Sequence, residues 1–471
     1  MTECNQLSFD FHPLQMRGVV ARFDGGTITS DGGALLLREV ERRTGILRQF
    51  AACFSDYRDP DLIEHTLAEL AAQRVYGLAL GYEDLNDHDQ LRADPLFAVL
   101  ADDADPTGQE RRRPRDRGKA LAGKSTLNRL ELTPADAGGA SRYKKIVYDG
   151  AAVANLFVDV FLQAHAQPPA EIVLDLDATD DPLYGNQEGR FYHGYYREYC
   201  YLPLYIFCGE HLLCAKLRPA DIDAAAGALE EVQRIVARVR AQWPTVRIVL
   251  RGDSGFCRDE IMTWCEAHGV FYVFGLAQNS RLREALAPEM AQAKALFEQT
   301  KTATRVFKEF IYRTLDSWSC PRRTVGKAEH LAKGANPRFI VTNIPAEELP
   351  ARQLYEDTYC ARGEMENRIK EQQLYLFADR TSTATLRANQ LRLWFSSVAY
   401  MLLHALRRLG LSGTALDKAQ CHTIRLKLLK IGAQVKVTVR KVWLSLAEGY
   451  PYKELFAHVY WKLQALTPLR C

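Results

Sequence analysis

Glu171-Ile-Val-Leu-Asp-Leu-Asp177 is a strand-length apolar run with two carboxylates at its end. Its β-branched and leucine residues suit a buried strand. Asp175 and Asp177 lie two residues apart, so both face the same side of a sheet. Pro168-Pro169 breaks the chain just before it, and an α/β pattern follows. A polar, Gly-rich reversal spans residues 180–194. Strands are expected at 198–208 and 211–217, joined by a tight Gly209-Glu210 turn. A helix is expected from Pro219 to about Arg240, with Ile222, Leu229, Val232, Ile235 and Val236 on its apolar side. Residues 246–250 form another strand, and Arg251-Gly-Asp253-Ser-Gly-Phe256 is the loop at its carboxyl end. A helix over 258–268 and a strand over 270–276 complete the pattern. Ligand sites in open α/β sheets form at the carboxyl ends of strands, where Asp177 and Asp253 both fall.

A third carboxylate comes from Tyr359-Cys-Ala-Arg-Gly-Glu-Met-Glu-Asn-Arg-Ile-Lys-Glu371. Between Pro350 and Phe377 there is no further proline and a single glycine, Gly363, which predicts one long helix. Tyr359, Arg362, Glu366 and Lys370 recur at helical spacing, so phenol, guanidinium, carboxylate and ammonium share a face. A solvated helix shows the same pairs. The stripe gains meaning only beside Asp177 and Asp253. Residues 278–337 lie between the strand and this helix. The alternating run 304–314 and Trp318 give them the look of a β-rich insertion, and the chain rejoins the core at Arg338-Phe-Ile-Val-Thr-Asn343.

Length and composition fit a folded chain of several domains. The 471 residues are 47% hydrophobic and 25% charged, with a net charge of +3, so a polyanion must be met by local patches. The 11 cysteines include no Cys-x-x-Cys pair. This argues against a zinc ribbon or a disulfide scaffold and fits a reducing cytoplasm. Residues 1–13 are polar and lack an apolar signal core. The apolar run 393–406 holds Ser396, Ser397 and His404 between Arg392 and Arg407; it is too short to span a bilayer.

The N-terminal part predicts a short strand over 17–24, a Gly25-Gly26 turn and a helix over 34–43 capped by Ser30-Asp31-Gly32-Gly33. A longer helix is expected over 59–80. His88, between Asp87 and Asp89, is read as part of a solvated turn with a helix cap, not as a metal ligand. Residues 101–124 form a flexible segment rich in arginine, suited to phosphate contact. Gly118-Lys-Ala-Leu-Ala-Gly123-Lys124-Ser125 matches the P-loop pattern. That motif needs a buried strand before it, and the Arg and Pro residues preceding Gly118 do not form one. A basic loop leading into a helix near Ser125 is expected instead, followed by an amphipathic helix over 148–164.

At the other end, apolar helices fill 386–409. Beyond them Arg425, Lys427, Lys430 and Arg440 belong to a basic stretch in which Asp417 is the single acid up to Lys441. Residues 430–441 alternate and suggest a strand with a basic face available to phosphates. Three clustered carboxylates repel unless cations bind them. Oxygen ligands without His or Cys suit Mg²⁺ or Mn²⁺, and two such ions perform phosphodiester chemistry. Asp177 is then the bridging ligand, and Asp253 and Glu366 each complete one ion. Arg362 and Lys370 hold phosphates, and Tyr359 positions the backbone near the scissile bond.

The chain resembles the DDE transposases of bacterial insertion sequences, and among them insertion sequence family 1380, in the Tn-five-like group. The matching pieces are Phe23-Asp-Gly-Gly-Thr-Ile-Thr-Ser-Asp-Gly-Gly-Ala-Leu-Leu-Leu37, His88-Asp-Gln-Leu-Arg92, Leu174-Asp-Leu-Asp-Ala-Thr-Asp-Asp181, Leu250-Arg-Gly-Asp-Ser-Gly-Phe256 and Tyr359-x-x-Arg362-x-x-x-Glu366. The group's helix signature has a Lys seven residues after the Glu; here Gln373 stands there and Lys370 one turn earlier. The resemblance implies an RNase H-like α/β core, a mixed sheet flanked by helices, over 166–277 and 338–385. It implies a β-rich insertion at 278–337, a mainly helical DNA-end-binding region at 1–165 and a basic helical region at 386–471. It further implies two Mg²⁺ ions per site, terminal inverted repeats and target DNA as partners, a homodimeric synaptic complex and a cytoplasmic, nucleoid-associated enzyme. Asp177 is preferred to Asp175 because Asp-x-Thr matches the group's first motif. Two other readings remain: a DNA-binding descendant without catalysis, and a P-loop NTPase.

Overall fold

The structure, a computed structural model, describes residues 8–466, so residues 1–7 of the polar start lie outside the described residues. The chain forms two compact units. Among the described residues, one comprises 8–149, 375–377 and 398–466, and the other 150–374 and 378–397.

The second unit is built on a mixed nine-stranded sheet. Its strands are β1 (Glu171–Ala178), β2 (Leu204–Cys208), β3 (His211–Lys216), β4 (Arg247–Gly252), β5 (Phe271–Leu276), β6 (Thr304–Tyr312), β7 (Arg322–Leu331), β8 (Gly334–Ala335) and β9 (Arg338–Thr342). They lie in the order β3-β2-β1-β4-β5-β9-β7-β6, with β8 paired to β7. The central strands β1, β4 and β5 are parallel. Each is apolar on both sides, as a strand covered on both faces must be. Leu174, Leu176, Ile248, Leu250, Tyr272 and Phe274 pack in one cluster with Val232, Ile235, Val236 and Val239 of the helix Ala228–Gln242. On the other face Val249, Val273, Val325 and Ile340 pack against Leu354 and Tyr355. Alternation along the strands puts Asp175, Arg251 and Gly275 on this second face.

Several sequence expectations are corrected. The stretch 198–208 is not one strand. Glu198–Tyr201 pairs with Asp181–Pro182 and Phe191–His193 in a separate three-stranded sheet, and Pro203, without an N–H, marks the break before β2. The helix expected from Pro219 begins only at Ala228, after Gly227 at φ 74°. The Arg218 guanidinium donates to the carbonyls of Ala224 and Ala226 at 3.0 and 2.6 Å, which takes them out of helical bonding. Residues 278–337 hold helix as well as strand: Ser280–Ala285 and Ala287–Thr300 precede β6 and β7. These strands extend the main sheet through β9, whose own pairing with β5 is remote in sequence.

In the first unit both ends of the chain meet. Ala433 pairs with Thr29 in a small sheet that also holds Val442–Leu446. Residues 430–441 therefore form the first strand and the turn of a hairpin. Thr438 and Lys441 close that turn: the Thr438 N–H donates to the Lys441 carbonyl at 2.8 Å. The helix expected over 59–80 is Leu67–Leu80, opened by a Thr66–Glu69 capping box that fixes its start. His88 is fully buried and not in a solvated turn. Its Nδ1 lies 3.1 Å from Gln73 Nε2, and its ring abuts Gly77, where a Cβ would come within 2.9 Å. Burial first, then the Arg74 charge, pushes His88 down to about 3.

A histidine near 3 when folded and 6.5 when unfolded binds more protons unfolded. Its contribution is complete above pH 6.5 and is lost as pH falls toward 3. Chemical denaturation across pH 3–7 is expected to show an acid limb of up to about 1.4 kcal/mol per pH unit from this group, and His88→Gln flattens it.

Candidate active site

The register of the parallel strands assembles the site. Leu176, Gly252 and Phe274 are neighbours across β1, β4 and β5. One residue further along each strand stand Asp177, Asp253 and Gly275, on the face that Tyr355 covers. Asp177 accepts the N–H of Ala178 at 3.0 Å. Asp253 caps the short turn Ser254–Phe256 by accepting the Gly255 N–H at 2.8 Å, which fixes its direction at the strand end.

The covering segment is helical throughout but is not one regular α-helix. It runs as α-helix over Ala351–Gln353, π-helix over Leu354–Tyr359, a 3₁₀ turn over Cys360–Arg362 and α-helix over Gly363–Leu376. The wide π turn re-phases the side chains that follow. Arg362 then reaches Asp177 at 3.8 Å and Glu366 at 2.8 Å. Burial pushes Asp177 up to about 7, against the pull of Arg362 and with the repulsion of Asp253 and Glu366 added. Three carboxylates thus share one field, and Glu366 remains 43% exposed.

Asp175 has a different environment. Arg251 donates to it from Nη2 at 2.8 Å and from Nε, while Arg251 Nη1 donates to the Thr358 carbonyl of the π turn. Asp175 is 3% exposed and is held by a guanidinium, whereas Asp177 faces the other carboxylates. The strand end, the loop and the helix are tied together by this one arginine. Neither Arg251 nor Gly275 was singled out from sequence. A Cβ at Gly275 would lie 2.6 Å from the Tyr359 hydroxyl, 3.0 Å from Ser254 N and 3.2 Å from Asp253 C, so the strand approaches both site segments too closely for a side chain. A glycine inside an apolar strand was the available signal.

The other expected contacts separate. Lys370 is exposed on the same helix, and Gln373 donates to the Asp180 carbonyl at 3.0 Å. In the first unit, Lys427 lies over the Tyr452 ring at 5.5 Å, Lys430 pairs with Asp31 at 2.7 Å, and Arg440 is exposed in the hairpin turn. Arg425 is 7% exposed. It donates to the carbonyls of Ala79, Leu78 and Tyr375 at 2.8, 3.2 and 2.5 Å, which closes helix ends inside that unit.

The donor set at the strand ends consists of carboxylates alone, which suits a hard divalent cation, and the raised Asp177 marks where added positive charge is favoured. Among the described residues, the three potential ligands whose atoms all lie within 4.8 Å of one another are His65, Glu69 and Asp103. At the strand ends Arg362 stands between Asp177 and Glu366 instead.

A mixed α/β unit with acidic residues at its parallel strand ends defines the class of protein. The model for the transposase DDE domain group 1 matches residues 11–468, and the chain belongs to that family. No curated protein matches it significantly. A cryo-EM structure of a piggyBac transposase synaptic complex with hairpin DNA is similar over 85% of this chain and 80% of its own. The identity is 11% and the TM-score 0.41, a likeness that carries no argument about the site. No described helix is long and apolar enough to cross a membrane.

Two stability measurements test this arrangement. Asp175→Ala leaves Arg251 buried without its carboxylate and is expected to cost about 3–5 kcal/mol. Asp177→Ala removes a carboxylate that burial disfavours and is expected to leave the unfolding midpoint unchanged or raised. Gly275→Ala should cost about 1–3 kcal/mol through crowding, and Tyr359→Phe on that background should recover part of the loss. Additive effects in the double variant would contradict the close approach.

Proposed function

We propose that this transposase-family chain cuts and joins DNA by phosphoryl transfer at Asp177, Asp253 and Glu366. The observation that supports this reading most strongly is the shared register of Asp177 and Asp253, with Glu366 joined to Asp177 through Arg362. In this reading the second unit holds an RNase H-like core, with residues 278–337 as its insertion and residues 1–165 and 386–471 serving DNA ends. Its sequence motifs favour insertion sequence family 1380. The substrates are terminal inverted repeats and target DNA, joined through the 3′-hydroxyl in a homodimeric complex.

Asp177, Asp253 and Glu366 would hold two Mg²⁺ or Mn²⁺ ions, which supply Lewis acidity and an activated oxygen nucleophile in phosphodiester chemistry. The chain's own groups do the rest. Asp253 is oriented by the Gly255 N–H, so its carboxylate is fixed before substrate arrives. Arg362 offers a planar cation that can exchange its contact with Glu366 for a phosphate oxygen. Tyr359, pressed against Gly275, sets the depth at which the backbone lies. Lys370, exposed further along the same helix, adds a point charge for the flanking phosphate. Lys427, Lys430 and Arg440 remain candidates for DNA contact; Arg425 serves the interior of its unit.

The test is metal-dependent nicking of a labelled duplex carrying the element's own end. Asp177→Ala, Asp253→Ala and Glu366→Ala are each expected to lose roughly 1,000-fold or more while binding the duplex. Arg362→Ala should reduce nicking and raise the duplex concentration required. A wild type that binds the end and never nicks would replace this reading with a DNA-binding descendant.

A further inference from the structure

Three features of the first unit that the strand-end site leaves unused meet at one cavity of about 780 Å³. They are the basic segment before Gly118, the P-loop-like stretch and His65, which also belongs to the trio with Glu69 and Asp103. Nine lysine and arginine side chains line the cavity against four carboxylates. Some of this charge is neutralised: Arg58 binds Asp56 and Arg111 binds Asp103, each at 2.6 Å. Arg113, Arg129 and Arg142 are exposed at the wall and have no carboxylate partner among the described residues. Arg129 and Arg142 both lie over the Tyr143 ring, at 5.1 and 4.8 Å. Two guanidiniums gathered on one ring repel, and an anion between them removes the repulsion. Their planar donor forks match phosphate oxygens.

Two other occupants fit less well. A metal cation at His65, Glu69 and Asp103 would compete with Arg111 for Asp103. Glu69 already accepts the Thr66 N–H at 2.8 Å. His65 is pushed down to about 4 by burial and then by Arg111 and Arg58, which marks a positive surrounding. A nucleoside triphosphate finds no P-loop, because a 3₁₀ turn at Pro114–Asp116, not a strand, precedes Gly118. Lys124 donates to Asn86 Oδ1 at 3.0 Å, and Asp89 accepts its backbone N–H at 3.1 Å. A carboxylate therefore sits where the phosphates of a nucleotide belong.

We propose that this cavity is a docking site for the phosphodiester backbone of duplex DNA, gripped by Arg113, Arg129 and Arg142. The assignment rests on the DNA reading of the protein and gives the N-terminal part a contact site of named residues, remote in sequence from the carboxylates.

The experiment uses the full chain and measures duplex binding by fluorescence anisotropy between about 50 and 200 mM salt. The triple variant Arg113→Gln, Arg129→Gln, Arg142→Gln is expected to bind at least roughly 10-fold more weakly, with a log–log salt slope shallower by about two to three. The corresponding triple Arg→Lys variant should retain most of the slope, which separates lost charge from misfolding. Unchanged affinity and slope in the Gln variant would overturn the assignment. So would binding of fluorescent ATP that the Gln variant abolishes while its duplex binding stays intact. A wild type that binds no duplex sinks the DNA reading along with the cavity, whereas duplex binding with an unaltered slope sinks the cavity alone.

Discussion

The guanidinium of Arg251 is the constraint on which the site depends. It sits on the central strand β4, bonds across to Asp175 on β1 and reaches the Thr358 carbonyl in the covering helix. A buried cation is tolerated only when its donors are satisfied, and here the partners come from two separate segments, strand β1 and the covering helix. Satisfying that one side chain therefore fixes the register of two strands and the depth of the helix together. The carboxylate two residues beyond Asp175 then has a defined neighbour in Asp253, and the helix turn beyond Thr358 carries Arg362 and Glu366 toward it.

The same face shows how a protein holds acidic groups close without collapse. Asp175 is neutralised permanently by Arg251. Asp177 is half-buried, repelled by two carboxylates and relieved only in part by Arg362. The first pairing is structural and saturated, and the second leaves a demand for positive charge. Arg362 shares itself between Asp177 and Glu366 through side-chain contacts that a stronger cation can replace. The π turn over Leu354–Tyr359 contributes to this placement, because it changes the phase of the residues after it relative to Ala351–Gln353.

The first unit follows a different rule. Its strands and helices come from both ends of the chain, and several of its interior polar groups find partners within the unit. Gln73 serves His88 and the Ala122 backbone, Arg74 pairs with Glu131 at 3.0 Å, and Arg425 closes the carbonyls of Leu78 and Ala79. Positive charge that finds no such partner gathers on the cavity wall. The Lys and Arg residues of one sequence stretch thus serve opposite ends: some hold the interior together, and others are left facing solvent.

Periodicity was enough to locate the strands carrying Asp177 and Asp253 and the helical segment carrying Glu366, because burial on both faces and a 3.6-residue stripe are local signals. It was not enough for the helix starts at Ala228 and Leu67, which are set by contacts of the upstream Arg218 and by the Thr66–Glu69 capping box at the helix's own first turn. Nor did it reveal that residues 304–331 extend the main sheet, since the β5–β9 pairing that joins them to it links segments remote in sequence and leaves no mark in either strand alone. Arg425 and His88 looked like surface residues because polarity says nothing about a buried partner. The sequence by itself determined the element types around the site, the acidic character of the strand ends and membership of a transposase family. Tertiary structure alone decided that Asp175 pairs with Arg251 while Asp177 stands near Arg362 and the other carboxylates, that Gly275 must lack a side chain, and that the two chain ends share a unit. Each of these depends on which groups meet across space, and a meeting between remote residues is written in no single stretch of the chain.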